Sequence, residues 1–355
     1  MTQDPAVPQN SDAAPRKRRV RYPGTHPRRF EEKYKELHPE KYAQEVEKIM
    51  KRGKTPAGSH RSICVREVLE LLDPKPGETG LDATLGYGGH AAELLKRIRP
   101  GGRLWGIDVD PLEIVRTEAR LRKAGFGEQE LVVRRINFAG IPKLLAEAGG
   151  GFDFILADLG VSSMQLDDPA RGFTFKVEGP LDLRLNPARG QPASVLIRSF
   201  SEEALEKMLW VHSDEPHAHA IAQAIYQHRQ HIATTTDLAE IVREALPVVS
   251  RSTSEEDITR SIRRTFQALR IAVNDEFSAL DQFLRNLPLC LKPCGRVVIL
   301  TFHSGEDDRV VRALTEGTAS GIYSEMGKEP IRPTPQECYD NPRSKSAILR
   351  WARRA

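Results

Sequence analysis

The chain has 355 residues, of which 39% are hydrophobic and 29% charged, and its net charge is +4. That length suits more than one compact unit, and the apolar fraction suffices for a core. No apolar run approaches the roughly 18–20 residues of a membrane-crossing helix and no apolar leader opens the chain, which argues against a membrane protein and predicts a cytoplasmic location.

Residues 1–58 form a basic N-terminal extension. Positions 1–62 hold fifteen Lys/Arg against eight Asp/Glu, whereas the rest holds thirty-eight against forty-one. The densest basic run is Arg16-Lys17-Arg18-Arg19. Residues 1–25 are rich in Pro, Gln, Ser and Arg and read as disordered. Residues 27–53 read as a polar helix with Phe30, Tyr34, Leu37 and Tyr42 as scattered anchors. A basic arm on a near-neutral body suits a polyanion-binding enzyme, and it equally suits an ordinary solvated tail.

From Ser62 the pattern changes. Val65, Val68, Leu69 and Leu72 fall at i, i+3, i+4 and i+7 and predict a helix, which Pro74, Pro76 and Gly77 end. A strand at 80–84 runs into a glycine loop, and Ala91, Leu94, Leu95 and Ile98 mark the next helix. Strands follow at 103–109, 131–136 and 152–157, with a helix at 111–124 between the first two. Such alternation predicts an α/β fold built on a mostly parallel sheet. It stops near residue 166, where no convincing strand appears and helices are expected at 201–211 and 216–230. A helical pattern then steps by three or four from Ile258 through Phe266, Val273 and Leu280 to Leu287. Strand character returns at 295–302. The expected organisation is an α/β unit of residues 59–165 and 269–355, interrupted by a helical insertion at 166–268.

Two loops carry chemistry. Gly86-Tyr87-Gly88-Gly89-His90 leaves a strand and enters a helix, so its glycines permit a tight turn and close approach of a ligand. Asp108 ends the next strand, where an acid accepts hydrogen bonds from a ribose. Gly86-x-Gly88-x-x-Ala91 also matches a dinucleotide pattern, so NAD and S-adenosylmethionine (AdoMet) both fit this geometry. Asp82, at the mouth of the cleft, is placed to orient an AdoMet amino group or to cap a turn. His90 caps, packs or touches ligand. The second loop, 158–167, follows the fourth strand. Asp158 is the candidate acceptor for an amine N–H in methyl transfer, with Ser162, Ser163 and Gln165 as a polar rim. The four cysteines, Cys64, Cys290, Cys294 and Cys338, lack paired metal-ligand spacing, and no metal site is expected.

Taken together, ordered motifs make the chain similar to a known family. They are Val65-Arg66-Glu67-Val68-Leu69, Asp82-x-Thr84-x-Gly86-x-Gly88-Gly89-His90, Gly106-Ile107-Asp108-x-Asp110, Asn137-Phe138 and the segment from Asp158 to Asp167. Arg171-Gly172-Phe173-x-Phe175, Pro180-Leu181-Asp182-x-Arg184, the run from Phe266 to Glu276, Phe302-His303-Ser304-x-Glu306-Asp307 and Asn341-Pro342-Arg343-Ser344-x-Ser346-Ala347 complete them. The chain resembles the bacterial RsmH (MraW) family of small-subunit ribosomal RNA cytosine-N4 methyltransferases over residues 60–350. The resemblance implies a class I AdoMet-dependent methyltransferase fold, Rossmann-like, with an inserted helical domain, which is the expected RNA-recognition unit. It implies AdoMet contacts at Gly88, Gly89, His90, Asp108, Phe138, Asp158 and Gln165, with Phe138 stacking on adenine. It further implies methylation of a cytidine N4 in the decoding region of small-subunit (16S) rRNA. The expected partner is that RNA or the small ribosomal subunit, with a homodimer left open. Arg171, Arg184, Arg263, Arg264 and Arg270 are candidates for phosphate contact, and His303 for lining the cytosine pocket. The chain departs from the family pattern at Gly305 and Asp308, where Leu and Arg are usual, so Arg309 is the candidate replacement for that arginine. Residues 1–58 are an extension that typical members lack.

Overall fold

The computed structural model describes residues 62–249 and 254–355. The extension and its basic run at 16–19 lie outside the described residues. The body opens with α1 (Val65–Leu72), which buries Val68 and Leu72 as their spacing predicts. There follow β1 (Thr79–Asp82), α2 (Gly89–Ile98), β2 (Arg103–Asp108), α3 (Pro111–Lys123) and β3 (Leu131–Arg135). A 3-10 turn, Phe138–Leu144, and α4 (Leu145–Ala148) lead into β4 (Phe152–Asp158). Local chemistry sets these boundaries. Asp110 accepts from the N–H groups of Leu112 and Glu113, and Pro111 holds the first position, so α3 starts there. Gly149, in the left-handed region, ends α4.

The helical stretch comprises α5 (Ser163–Asp167), α6 (Ala193–Ser199), α7 (Glu202–Ser213), α8 (Ala218–His228), α9 (Thr235–Val249), α10 (Glu255–Asn274) and α11 (Glu276–Cys290). Then come β5 (Leu291–Thr301), α12 (Ser304–Ala319), β6 (Tyr323–Met326), α13 (Pro335–Asp340) and β7 (Ile348–Arg354). The seven strands lie in the order β3-β2-β1-β4-β5-β7-β6. β1 pairs in parallel with β2 on one side and β4 on the other, which makes the strand order reverse there. β5 is parallel to β4, whereas β7 is antiparallel to β5 and β6 antiparallel to β7. In open sheets of this type the ligand crevice lies outside the carboxyl ends of the strands at the reversal.

β4 explains why the sheet is central. Phe152, Phe154, Ile155, Leu156 and Ala157 are all fully buried, so both faces of the strand are covered. Phe152 and Ile155 meet Phe283 and Leu287 of α11 in one core, while Phe154 and Leu156 meet Leu94, Leu95 and Ile98 of α2 in another. The insertion has a third core of its own, running from Phe173 through Ile221 and Leu238 to Leu269.

Three expectations need correction. The pattern from Ile258 to Leu287 is two helices, because Asp275 adopts φ 50° and its N–H caps α10 at Ile271. Ile258, Ile262 and Phe266 of α10 join the insertion core, whereas Leu280, Leu284 and Leu287 of α11 join the sheet core. The helical period continues while the partner surface changes. The expected boundary at 268 therefore falls inside α10, and the chain changes core at Asp275. β6 and β7 went unread because β7 buries only Leu349 and Ala352 among arginines and a half-buried Trp351. β5 begins at Leu291, four residues before the expected strand.

Candidate active site

A cleft of about 1800 Å³ opens at the carboxyl edge of β1, β2 and β4 and extends beneath the insertion. Asp82, Gly88, Gly89, His90, Asp108, Phe138, Asp158, Ser162, Ser163, Gln165 and His303 all line it. Residues separated by more than two hundred positions thus meet in one place.

The glycine loop is pressed onto α3. Gly88 has φ +78°, and a Cβ there would lie 2.7 Å from Thr117 Cγ2. Thr117 Oγ1 donates to the Gly86 carbonyl at 2.5 Å, and the Arg120 guanidinium sits 3.4 Å from the Tyr87 ring centre. Asp108 ties the loop to β2: its Oδ2 accepts from Gly86 N at 2.8 Å and its Oδ1 from Asp110 N at 2.9 Å. Each oxygen keeps a further lone pair, the acceptor set that the two hydroxyls of a vicinal diol require. Burial pushes the Asp108 carboxyl up to about 6, against the pull of those two backbone bonds. Asp82 is buried, accepts from Thr84 N at 3.1 Å, and is pushed up to about 7 by burial, with His90 and the Thr84 bond opposing.

Asp158 ends β4, where its N–H donates to Thr84 Oγ1 at 2.6 Å. Its Oδ2 lies 3.6 Å from His90 Nε2. Its Oδ1 is buried and has no hydrogen-bond partner among the described residues. Beyond it, Ser162 and Gln165 form a capping box. Ser162 Oγ accepts from Gln165 N at 3.2 Å, and Gln165 Oε1 accepts from Ser162 N at 2.8 Å. The Ser162 hydroxyl is thereby engaged in starting α5. Gln165 Nε2 donates to Asp110 Oδ2 at 2.7 Å. Phe138 follows β3 and packs edge-on against Phe283, with ring centres 5.3 Å apart.

The five arginines differ sharply. Arg171 is buried; Nη1 donates to Asp110 Oδ2 at 2.8 Å, and Nη2 to the Arg184 and Leu185 carbonyls. Those donors are spent inside the protein, which corrects the expectation of phosphate contact for Arg171. Arg184 makes a two-pronged bond to Asp182, and Arg270 one to Glu276. Arg263 is exposed and lines the cleft, Arg264 is half-buried, and neither forms an ion pair among the described residues. Arg309 donates to the Gly305 carbonyl at 2.8 Å and lies 3.7 Å from the Phe277 ring centre, so it too is held by the protein.

His303 precedes α12, with Nε2 at 3.3 Å from Glu306 Oε1, and neither ring nitrogen has a hydrogen-bond partner among the described residues. Burial raises Glu306, but His303, Arg270 and the Phe302 N–H outweigh it and hold the carboxyl below its ordinary value. One group among the described residues has metal-ligand proximity: Cys64, Glu67 and Glu337, whose ligand atoms lie within 4.8 Å of one another. Burial, helped by both carboxylates, pushes the Cys64 thiol up to about 12, which disfavours the thiolate that a metal binds. Sequence reasoning gave no role to Thr84, Asp110 or Thr117. The second acid of Asp108-x-Asp110 was the available signal, since an acid immediately before a proline-led helix is placed to cap it.

The sheet order, the glycine loop against β2 and the helical insertion define the class I AdoMet-dependent methyltransferase fold. The chain belongs to the MraW methylase family, whose model matches residues 57–355. It is 50% identical over 342 residues to ribosomal RNA small subunit methyltransferase H 1 of Lachnoclostridium phytofermentans, covering 96% of this chain and 93% of that one. It is 51% identical over 343 residues to ribosomal RNA small subunit methyltransferase H 2 of Alkaliphilus metalliredigens, covering 96% and 98%. A SAM-dependent O-methyltransferase of Thermotoga maritima is similar at TM-score 0.38 and 10% identity, with 87% of this chain and 71% of that one covered. Coverage of 96% includes most of residues 1–58, so these two relatives share the extension. Ribosomal RNA small subunit methyltransferase H of Heliobacterium mobile, 38% identical, covers only 83% of this chain although 98% of its own is matched. The family decides what the glycine loop alone left open, in favour of AdoMet-dependent chemistry over a dinucleotide.

Proposed function

We propose that this chain transfers the methyl group of AdoMet to the exocyclic N4 of a cytidine in small-subunit ribosomal RNA. The observation that carries the reading is Asp158, whose buried, unpartnered Oδ1 stands at the end of β4 in the same cleft as the glycine loop. The names borne by the relatives of about 50% identity support the RNA substrate.

The residues present fit the donor. Asp108 offers two carboxylate oxygens to ribose hydroxyls, Asp82 a carboxylate to the amino group, and the backbone of residues 88–90 a close approach free of side chain at Gly88. Phe138 offers a ring to adenine. Gln165 holds the neighbouring α5 turn in register through Asp110. AdoMet supplies a methyl group already activated on a sulfonium, so the protein's task is alignment of the attacking nitrogen. Asp158 Oδ1 accepts one N4–H of the base, directs the nitrogen lone pair, and takes the proton released after transfer. The base enters unstacked from single-stranded RNA, between the sheet edge and the insertion, where Phe175, Phe266 and Arg263 also line the cleft. The helical insertion, which gives way to the sheet core at Asp275, is the RNA-recognition unit in this reading, and the basic extension a further contact with phosphate.

Asp158→Ala tests it. With labelled AdoMet and unmodified small-subunit RNA or subunits, methyl transfer falls by about 100-fold or more while AdoMet binding persists. Undiminished transfer, or a product other than N4-methylcytidine, overturns the assignment.

A further inference from the structure

The His90 imidazole stands in the donor loop, where the contacts proposed above use backbone. It is buried at the second position of α2, and Nε2 lacks a hydrogen-bond partner among the described residues. Asp158 Oδ2 lies 3.6 Å away, beyond hydrogen-bond length but within reach of a small side-chain movement. The Asp82 carboxyl, at the end of β1, feels the charge of the same ring and of Asp108 and Asp158, and the Asp158 charge also helps hold the Cys64 thiol protonated. Among the described residues no lysine or arginine forms an ion pair with Asp82, Asp108 or Asp158. Among the described residues His90 is therefore the one basic side chain in an ion pair with this acidic cluster, where a proton on it would offset buried negative charge.

We propose that His90 is the onward proton acceptor for Asp158, a positioning residue that restores the catalytic carboxylate. The inference rests on the function proposed above. The N4 lone pair forms the N–C bond as the C–S bond breaks, its electron pair staying on sulfur. The N4 proton goes to Asp158 Oδ1, and the N–H electron pair returns to nitrogen. A half-turn of the carboxyl about Cβ–Cγ then presents that proton to His90 Nε2, which accepts it and becomes imidazolium. The carboxylate is regenerated, and the positive charge of the donor ends on the imidazole.

Two measurements test this. The first follows the histidine ring resonances of the ligand-free protein at neutral pH, with His90 assigned by its disappearance in His90→Gln. Asp158→Asn moves the His90 ring resonances and leaves those of distant histidines in place, because the ring loses the carboxylate beside it; unmoved His90 resonances overturn the proposal. The second is single-turnover transfer to small-subunit RNA across pH 5.5–9. His90→Gln keeps AdoMet affinity within about twofold, transfers about tenfold more slowly at neutral pH, and loses the acidic limb of the wild-type profile. Wild-type rate and profile in His90→Gln overturn the relay alone, whereas absence of N4-methylcytidine from the wild type overturns the function beneath it. Should His90→Gln fail to fold, the Asp158→Asn resonances decide.

Discussion

Arg171 Nη1 lies 2.8 Å from Asp110 Oδ2, and both side chains are removed from solvent. This pair joins the first turn of the insertion to the loop that starts α3. The same Asp110 presents its N–H to Asp108 and accepts from Gln165, so one carboxylate links the donor loop, α5 and the insertion. Removing one partner of a buried pair leaves the other charge uncompensated. Arg171→Ala is expected to lower unfolding stability by about 3–5 kcal/mol in urea titration. Arg171→Lys recovers part of it, since a lysine carries the charge without the fork that reaches the Arg184 and Leu185 carbonyls.

Gly88→Ala places a methyl group in the space occupied by Thr117 Cγ2 and asks alanine to hold φ +78°. The left-handed conformation alone costs about 1–2 kcal/mol. Isothermal titration should show AdoMet affinity reduced about tenfold or more. Retained affinity would mean that the loop does not contact the donor.

Burial raises Asp82 and Asp108 from an ordinary 3.8 to about 7 and about 6. The folded chain then holds protons that the unfolded chain has already released, so their contribution to stability declines as pH rises from about 4 to 7. AdoMet affinity runs the other way, because both contacts need the carboxylate. It should rise from pH 5 to 8 in equilibrium binding. Asp82→Asn should remove the part of that rise above pH 6 and flatten the stability slope.

Arg263→Ala should weaken RNA binding with little loss of stability, because its side chain is exposed and makes no ion pair among the described residues. If it contacts one phosphate, the slope of log affinity against log salt falls by about one. Arg184→Ala, which breaks the bond to Asp182 at 2.7 Å, should instead leave that slope unchanged.

Much of the site was legible from local chemistry. Gly88, Asp108 and Asp158 stand where strands end and helices begin, and their types report what a turn or an acceptor needs. The arginines were not legible, because a guanidinium reads the same in sequence whether it faces phosphate or a buried aspartate. Arg171 and Arg263 differ only in what the fold brings against them. His90 was ambiguous for the same reason: its neighbours Asp82 and Asp158 lie on β1 and β4.

Periodicity and turn residues determined the α/β alternation, the helical interruption and the two loops, because each depends on a few consecutive residues. Only the tertiary structure decided that β1 lies between β2 and β4, that the helical run breaks core at Asp275, and that β7 returns antiparallel beside β5. Those outcomes depend on which apolar faces find each other across long stretches of chain. That same non-local packing brings Asp158 Oδ2 within 3.6 Å of His90 and leaves Oδ1 without a hydrogen-bond partner among the described residues.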